Sequence, residues 1–453
     1  MKLQVPMRPF AVLAPLAILL AAPVAQAQEV LTLDSAIRIA LESNPTVTSS
    51  RALGAAAGFG VDAAATGFMP QVTASVGYRR ATQNSASPSG VGGGVVPVAA
   101  TRTSTTSYDN YSASLGLQQT IWDFGRTLGP YDAAKAQNRA AEAAVRSTIE
   151  DVFLLVGQAY FRAIAARETV EAALQSKQQM TEHLAAAQGR VEAGMRPRID
   201  VTRAQADLAS ADLALVQAIN GERTALIVLV TAMGRPGYSK FSLVRPVSSD
   251  PPGAEDLEAS LREAMGKRPE LRQLNEQIVA AEAQVAAARG GFFPSLGANA
   301  GLTYTGFKVQ DLAWNWYIGA SLNWGLVSGI VQANALLHES QANVRALQAN
   351  LVGLENAIRA EVENSEVGWR EARDKQAPAR ALLEAARETL ELAEARYAIG
   401  SGNVTEVADA QATMVQARTS LIQAELDLEV TRLRLLRSLG RLGDTIHPPQ
   451  PVP

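Results

Sequence analysis

The side chains able to do chemistry in this chain gather in two turns. The second turn, Tyr397 to Gln411 (Y-A-I-G-S-G-N-V-T-E-V-A-D-A-Q), sets Glu406 and Asp409 three residues apart on one face of a new helix. The first, Arg190 to Gln205, carries Arg196, Arg198 and Asp200 beside Gly194 and Met195. Carboxylates so placed serve as an acid–base couple, as a cation-binding pair, or as first-turn residues that offset the helix dipole and cap free N–H groups. Acid–base catalysis needs a pocket, and neither turn has a pocket-forming context. No other reactive set is present: there are no cysteines, and His183, His338 and His447 lie far apart, outside any metal-ligand spacing. The sequence therefore offers no catalytic, cofactor or metal constellation. A net charge of −3 gives no basic field for nucleic acid.

The two turns are copies. At an offset of 206, Arg190 lies over Arg396, Gly194 over Gly400, Asp200 over Glu406 and Gln205 over Gln411, and the register holds to Gly234-Arg235 over Gly440-Arg441. An earlier register of 224 places Leu33 over Leu257, Pro45 over Pro269, Phe68 over Phe292 and Pro70 over Pro294. A duplicated unit thus organises the chain. Its parts read as a first repeat over 28–235, a Pro-rich linker over 236–254, a second repeat over 255–440 and a Pro-rich tail over 441–453.

Residues 1–27 carry the marks of a secretory signal: Lys2 and Arg8, the apolar run Phe10 to Ala22, then Ala25-Gln26-Ala27. Gln28 follows where a lipid-modified cysteine would stand, so no N-terminal lipidation is expected. No later stretch is expected to supply the roughly 20 apolar residues of a transmembrane helix.

Within each repeat the hydrophobic period changes from helical to two and back. Strands are predicted at 71–79 and 111–119, then at 295–303 and 316–324, each about the length a tilted strand needs to cross a bilayer. Between the first pair, 81–107 is a Ser/Thr/Gly-rich loop. Helices are predicted at 127–193 and 200–234, and again at 330–399 and 405–439. The longest would extend roughly 100 Å, with Val145, Ile149, Val152, Val156, Tyr160 and Ile164 stepping by three or four as in a coiled-coil seam. Four strands cannot close a transmembrane barrel, since about eight is the minimum and open edges are not tolerated in lipid. Three chains sharing twelve strands solve the problem; two give eight strands and little lumen.

The order of these features resembles the TolC-like outer membrane efflux protein family across essentially all of the mature chain. The resemblance rests on L-T-L-D-S-A-I-R-I-A-L-E-S-N-P at Leu31 to Pro45, F-M-P and F-F-P before the odd strands, I-W-D-F-G-R at Ile121 to Arg126, and the two turns. It implies a homotrimer with a twelve-stranded β-barrel in the outer membrane and a long α-helical barrel in the periplasm. It further implies a passive exit duct for an inner-membrane pump, docked through a periplasmic adaptor by the turns at Gly194, Met195, Gly400 and Ser401. Other readings are type I protein secretion and a non-conducting periplasm-spanning spacer.

The resemblance also implies roles at the tip. Glu406 and Asp409 match an acidic entrance ring that binds cations, Asp200 an aspartate of the inner tip, and Tyr397 a tyrosine of the closed gate. The family's gate arginine is Gly402 here. Arg196 and Arg198 are expected to replace it by pairing with Glu406 or Asp409. Without the resemblance these residues read as dipole-offsetting acids, solvated loop charges and an ordinary interface aromatic.

Overall fold

The computed structural model describes residues 30–82, 107–237, 241–246 and 256–442. The signal segment and most of the Ser/Thr/Gly-rich loop, the linker and the tail lie outside these residues. In the first half, α1 (Leu33–Ser43) and α2 (Pro45–Ala65) lead to β2 (Gln71–Thr82) and β3 (Ser107–Trp122), then to α3 (Leu128–Glu192) and α4 (Ile199–Ala232). The second half runs α5 (Leu257–Lys267), α6 (Pro269–Gly290), β5 (Ser295–Gly306), β6 (Ala313–Asn323), α7 (Ser328–Asp374), α8 (Gln376–Ala398) and α9 (Val404–Ser438). A short parallel pair, β1 (Val30–Leu31) and β4 (Ser242–Leu243), ties the start of the described chain to the segment between the halves.

The four long strands form an antiparallel sheet in the order β2-β3-β5-β6. Its register keeps chemistry sorted by face. Val72, Leu117, Ala300 and Ile318 line up across the sheet, as do Ala74, Leu115, Leu302 and Trp316. On the other face Ser75 meets Ser114, Ser114 meets Thr303, and Thr303 meets Asn315. Because side chains alternate, slipping by one residue would exchange the two faces, so the pattern fixes the register. The strands overrun the predicted spans: β2 reaches Thr82 and β3 begins at Ser107. The apolar alternation stops at Tyr78, but the backbone ladder needs no apolar side chain, and Arg80 continues it through contacts with Ser107 and Asp109.

Helices continue the sheet in the same lateral order, α2 beside α3, α3 beside α6, α6 beside α7. The joint after β3 is built by Asp123, whose carboxylate accepts from the Gly125 N–H and the Thr127 hydroxyl, and by Arg126. The Arg126 guanidinium donates to the carbonyls of Gly290, Gly291 and Phe293, which closes the C-terminal end of α6. Phe124 stacks on Phe293 at 4.7 Å.

Two expectations for the helices are corrected. The helix predicted over 330–399 is interrupted at Lys375, where α7 ends and α8 begins. Pro378 has no N–H for the Asp374 carbonyl and its ring would collide with it, so the ladder cannot run through. The second correction concerns α4, which by length and composition alone is apolar enough to cross a membrane. It packs along α3, burying Ala204, Ala211, Leu215, Leu226, Leu229 and Val230, while Leu213, Val216 and Ile219 stay exposed on the single chain.

Midway down α3, helices α3, α6 and α9 converge on Arg437. This buried guanidinium donates to Asp151 at 2.8 Å and to Glu270, with Glu150 at 3.7 Å. Burial pushes the Glu150 carboxyl up to about 7, Glu270 and Asp151 adding to the rise while Arg437 and Arg268 oppose it. Burial would also raise Glu270, but Arg437 more than reverses this and holds it below the ordinary carboxylate range. Farther from the sheet Tyr160 is fully buried, its hydroxyl within hydrogen-bond distance of the carbonyls of Leu31 and Val244 at 2.8 and 2.6 Å and accepting from the Val244 N–H at 3.1 Å, which secures the β1–β4 pair.

Removing one member of a buried charge group strands the others, so Arg437→Met is expected to cost about 3–5 kcal/mol in denaturant or thermal unfolding of the purified protein. A second outcome concerns pH. Folded Glu150 keeps its proton to about pH 7, whereas the unfolded group loses it near 4.5, so the folded state binds more protons between them. Stability attributable to this residue therefore falls as pH rises through that window. Melting curves at pH 5 and pH 8 should show Glu150→Gln recovering about 1 kcal/mol at the higher pH, allowing for solvent screening.

Candidate functional site

At 1.5 Å per residue α3 carries the chain roughly 100 Å from the sheet, and α8 ends at the same distal level. Both helices stop by the same device. Gly194 (φ +71°) donates its N–H to Val191, and Met195 donates to Arg190; Gly400 (φ +82°) donates to Tyr397, and Ser401 to Arg396. These are Schellman caps, which require a residue in the left-handed region and so select glycine. The next helix then starts at Ile199 or Val404, the latter capped by the Asn403 side chain accepting from the Thr405 N–H at 3.3 Å.

Gly402 closes the second turn against its own helix. Its N–H donates to the Arg396 carbonyl at 2.9 Å, and a Cβ there would stand 2.8 Å from the Tyr397 nitrogen. A side chain at this position, arginine included, would require this backbone to shift.

The two turns meet on Tyr397. Its ring is buried with Leu390, Ala393, Val404, Val407 and Ala410. The Arg190 guanidinium lies 4.4 Å from the ring centroid, that of Arg196 5.1 Å, and the His183 ring 5.7 Å. Arg196 also donates to the Gly402 carbonyl at 3.3 Å, and Arg203 to the Thr405 hydroxyl at 3.0 Å. Each of these links runs from the first turn's side to the second, cation or donor to ring or acceptor. Three buried atoms of the cluster, Tyr397 Oη, His183 Nε2 and Arg190 Nη1, have no hydrogen-bond partner among the described residues. Burial pushes His183 below its ordinary value, Arg190 reinforcing this and Asp207 and Asp200 opposing it.

The expected pairing of Arg196 or Arg198 with Glu406 or Asp409 does not form within the chain. Glu406 is held by Arg396 of its own turn at 2.6 Å, because that side chain leaves α8 directly opposite the first turn of α9. Arg196 is occupied by Tyr397 and Gly402, and the Arg198 side chain is exposed and makes no contact of this kind among the described residues. Asp409 is exposed, and Asp200 is buried at the start of α4. Arg190, His183 and Arg203 were not singled out from the sequence. Arg190 had a legible signal, its alignment over Arg396, whereas His183 lies well before the turn and meets Tyr397 only through the packing of α3 near α8.

A model of the outer membrane efflux protein family matches residues 36–235 and 260–441. The chain belongs to that family. Among relatives, Protein CyaE of Bordetella pertussis is 28% identical over 340 residues, covering 74% of this chain and 71% of CyaE. The pyoverdine export outer membrane protein OpmQ of Pseudomonas aeruginosa is 24% identical over 347 residues, covering 73% and 70%. A solved structure of CusC superposes with a TM-score of 0.77 at 18% identity, covering 90% of this chain and 92% of that one. This efflux protein is thus an outer-membrane exit duct reaching into the periplasm, a trimer in which twelve strands close the barrel and the helices form the tunnel below it. The family is a channel family rather than an enzyme family.

Gly402→Ala tests the turn. Forcing a Cβ into that contact should cost about 1–3 kcal/mol locally and speed hydrogen exchange at the Ser401 and Gly402 amides by roughly tenfold or more, with exchange in α3 unchanged.

Proposed function

We propose that the tip formed by the two turns is the closable entrance of this duct, opened when the α8–α9 coil separates from α3–α4. The Tyr397 contacts carry this reading. They are cation–π and single hydrogen bonds, each worth about 0.5–2 kcal/mol, around polar atoms that gain partners when exposed to water. Such a joint holds the closed state yet separates without great cost. The exposed Arg396–Glu406 pair contributes at most about 1 kcal/mol and shapes its own turn rather than the seam.

In the trimer the tip presents Asp409 in three copies as exposed carboxylates with no ion pair among the described residues, beside three copies of the Arg396–Glu406 pair. The entrance ring is therefore half neutralised, and Asp409 carries most of its attraction for cations, with Glu406 in support. Asp200, buried at the base of α4, acts by position on the inner tip. The turns at Gly194, Met195, Gly400 and Ser401 are the most distal backbone of each coil and are the surface offered to a periplasmic adaptor bridging to an inner-membrane pump. Cargo is small molecules, passed without chemical change; a relative named for pyoverdine export supports this class.

Two measurements in planar bilayers test the reading. Arg196→Ala should raise the closed-level conductance by shifting the open fraction about tenfold, as expected for a loss of about 1.4 kcal/mol, while Arg198→Ala leaves it unchanged. Equal conductance in both variants removes Arg196 from the gate. Block by divalent cations added at the tip side should weaken several-fold in Asp409→Asn and less in Glu406→Gln; block insensitive to both removes the ring from the mechanism.

A further inference from the structure

The sheet holds a charge that the entrance reading does not use. Its polar face is lined by Gln71, Thr73 and Ser75 on β2, by Asn110, Ser112, Ser114 and Gln118 on β3, and by similar neutral groups on β5 and β6. Arg79 is the single charged residue on that face among the described strand residues. Its neighbour across the ladder is the neutral Asn110, and it makes no hydrogen bond or ion pair among the described residues. Arg80, one residue on and therefore on the opposite face, is by contrast held by Asp109 at 3.8 Å and by the Ser107 hydroxyl at 2.9 Å.

The face and the level of Arg79 follow from the same register. The apolar face, with Val72, Val76, Leu115, Leu302, Trp316 and Ile318, must meet lipid, so the polar face lines the lumen. Arg79 follows Tyr78, whose ring packs on Tyr111 at 5.1 Å, and lies at the end of the sheet away from the helices. We infer that Arg79 sets the ion preference of the outer exit: in the trimer three unpaired guanidinium groups form a basic ring in the lumen that favours anionic over cationic solutes leaving the duct. This rests on the exit-duct reading and deepens it by naming a charge class for cargo at the outer end, opposite in sign to the acidic tip.

Geometry makes the ring effective. Twelve strands at about 4.8 Å spacing, tilted by about 40°, close at a backbone radius of about 12 Å. Guanidinium groups pointing inward from that wall bring the axis within about one Debye length, roughly 8 Å at physiological salt. A solute on the axis therefore feels all three charges.

The chain has no cysteine, so R79C supplies one thiol per chain, three in the otherwise unchanged full-length trimer. Inserted trimers in a planar bilayer, with about 10 mM KCl on the exit side, are treated from that side with a cationic or an anionic methanethiosulfonate reagent. The anionic label is expected to lower the chloride-to-potassium permeability ratio about twofold or more relative to the cationic label, and R79E relative to wild type should do the same. Identical ratios with both labels, or a thiol that neither reagent reaches, overturns the assignment. A wild-type channel that carries no current would overturn the exit-duct reading instead, so the two failures are told apart. Labelling follows assembly, so a folding defect in R79E leaves the test standing.

Discussion

In hydrocarbon every backbone N–H and C=O needs a partner within the protein, and this requirement governs the molecule. The four strands satisfy one another along β2-β3-β5-β6 and leave the outer edges of β2 and β6 open. Neither edge is shielded by proline or a covering helix, so each is suited to pair with another copy. The trimer follows from that arithmetic. Once the strands are shared, helices continuing in the same lateral order must also meet across chains, and the long exposed apolar stripes of α4 and α7 find their place.

Electrostatics is then distributed by depth. At the junction of α3, α6 and α9, Arg437 is buried against the buried Glu150 and the part-buried Glu270, with Asp151 reaching it from the exposed side, and breaking the set is costly. At the tip the opposite holds: pairs are exposed, and the seam between the coils is made of cation–π contacts and isolated hydrogen bonds. The molecule is strong where it must stay assembled and weak where it must part. On the polar face of the sheet Arg79 is the single charge among the described strand residues, so the strand part of the wall carries its charge at the end away from the helices.

Much of the fold was legible because the chain states it twice. The registers at Gly194 over Gly400 and Gly234 over Gly440 correspond to identical helix ends, all four glycines adopting positive φ. The strands were legible from alternation as far as Tyr78, but not their full length, which depends on ladder hydrogen bonds rather than side-chain polarity. The break at Lys375 has its sequence signal in Pro378, a residue that the helix predicted over 330–399 runs straight through. At the site, Tyr397, Glu406 and Asp409 could be named, but their partners could not. Arg396 lies closer in sequence to Glu406 than either Arg196 or Arg198, and the short route across one turn prevails over the long route between turns. Gly402 looked like the loss of a basic group; the backbone contact behind it shows that no side chain fits without a shift of this backbone.

The interruption between α7 and α8 makes the two halves of the duplication unequal as mechanical members. Pro378 stands where the register of the repeat places Ala172, in the middle of the uninterrupted α3. Seen from the tip, the ring of six hairpins alternates three continuous struts with three jointed ones. The joint leaves the Asp374 carbonyl without its helical partner, a feature that α3 does not have at the matching position, and it is there that a proline helix bends.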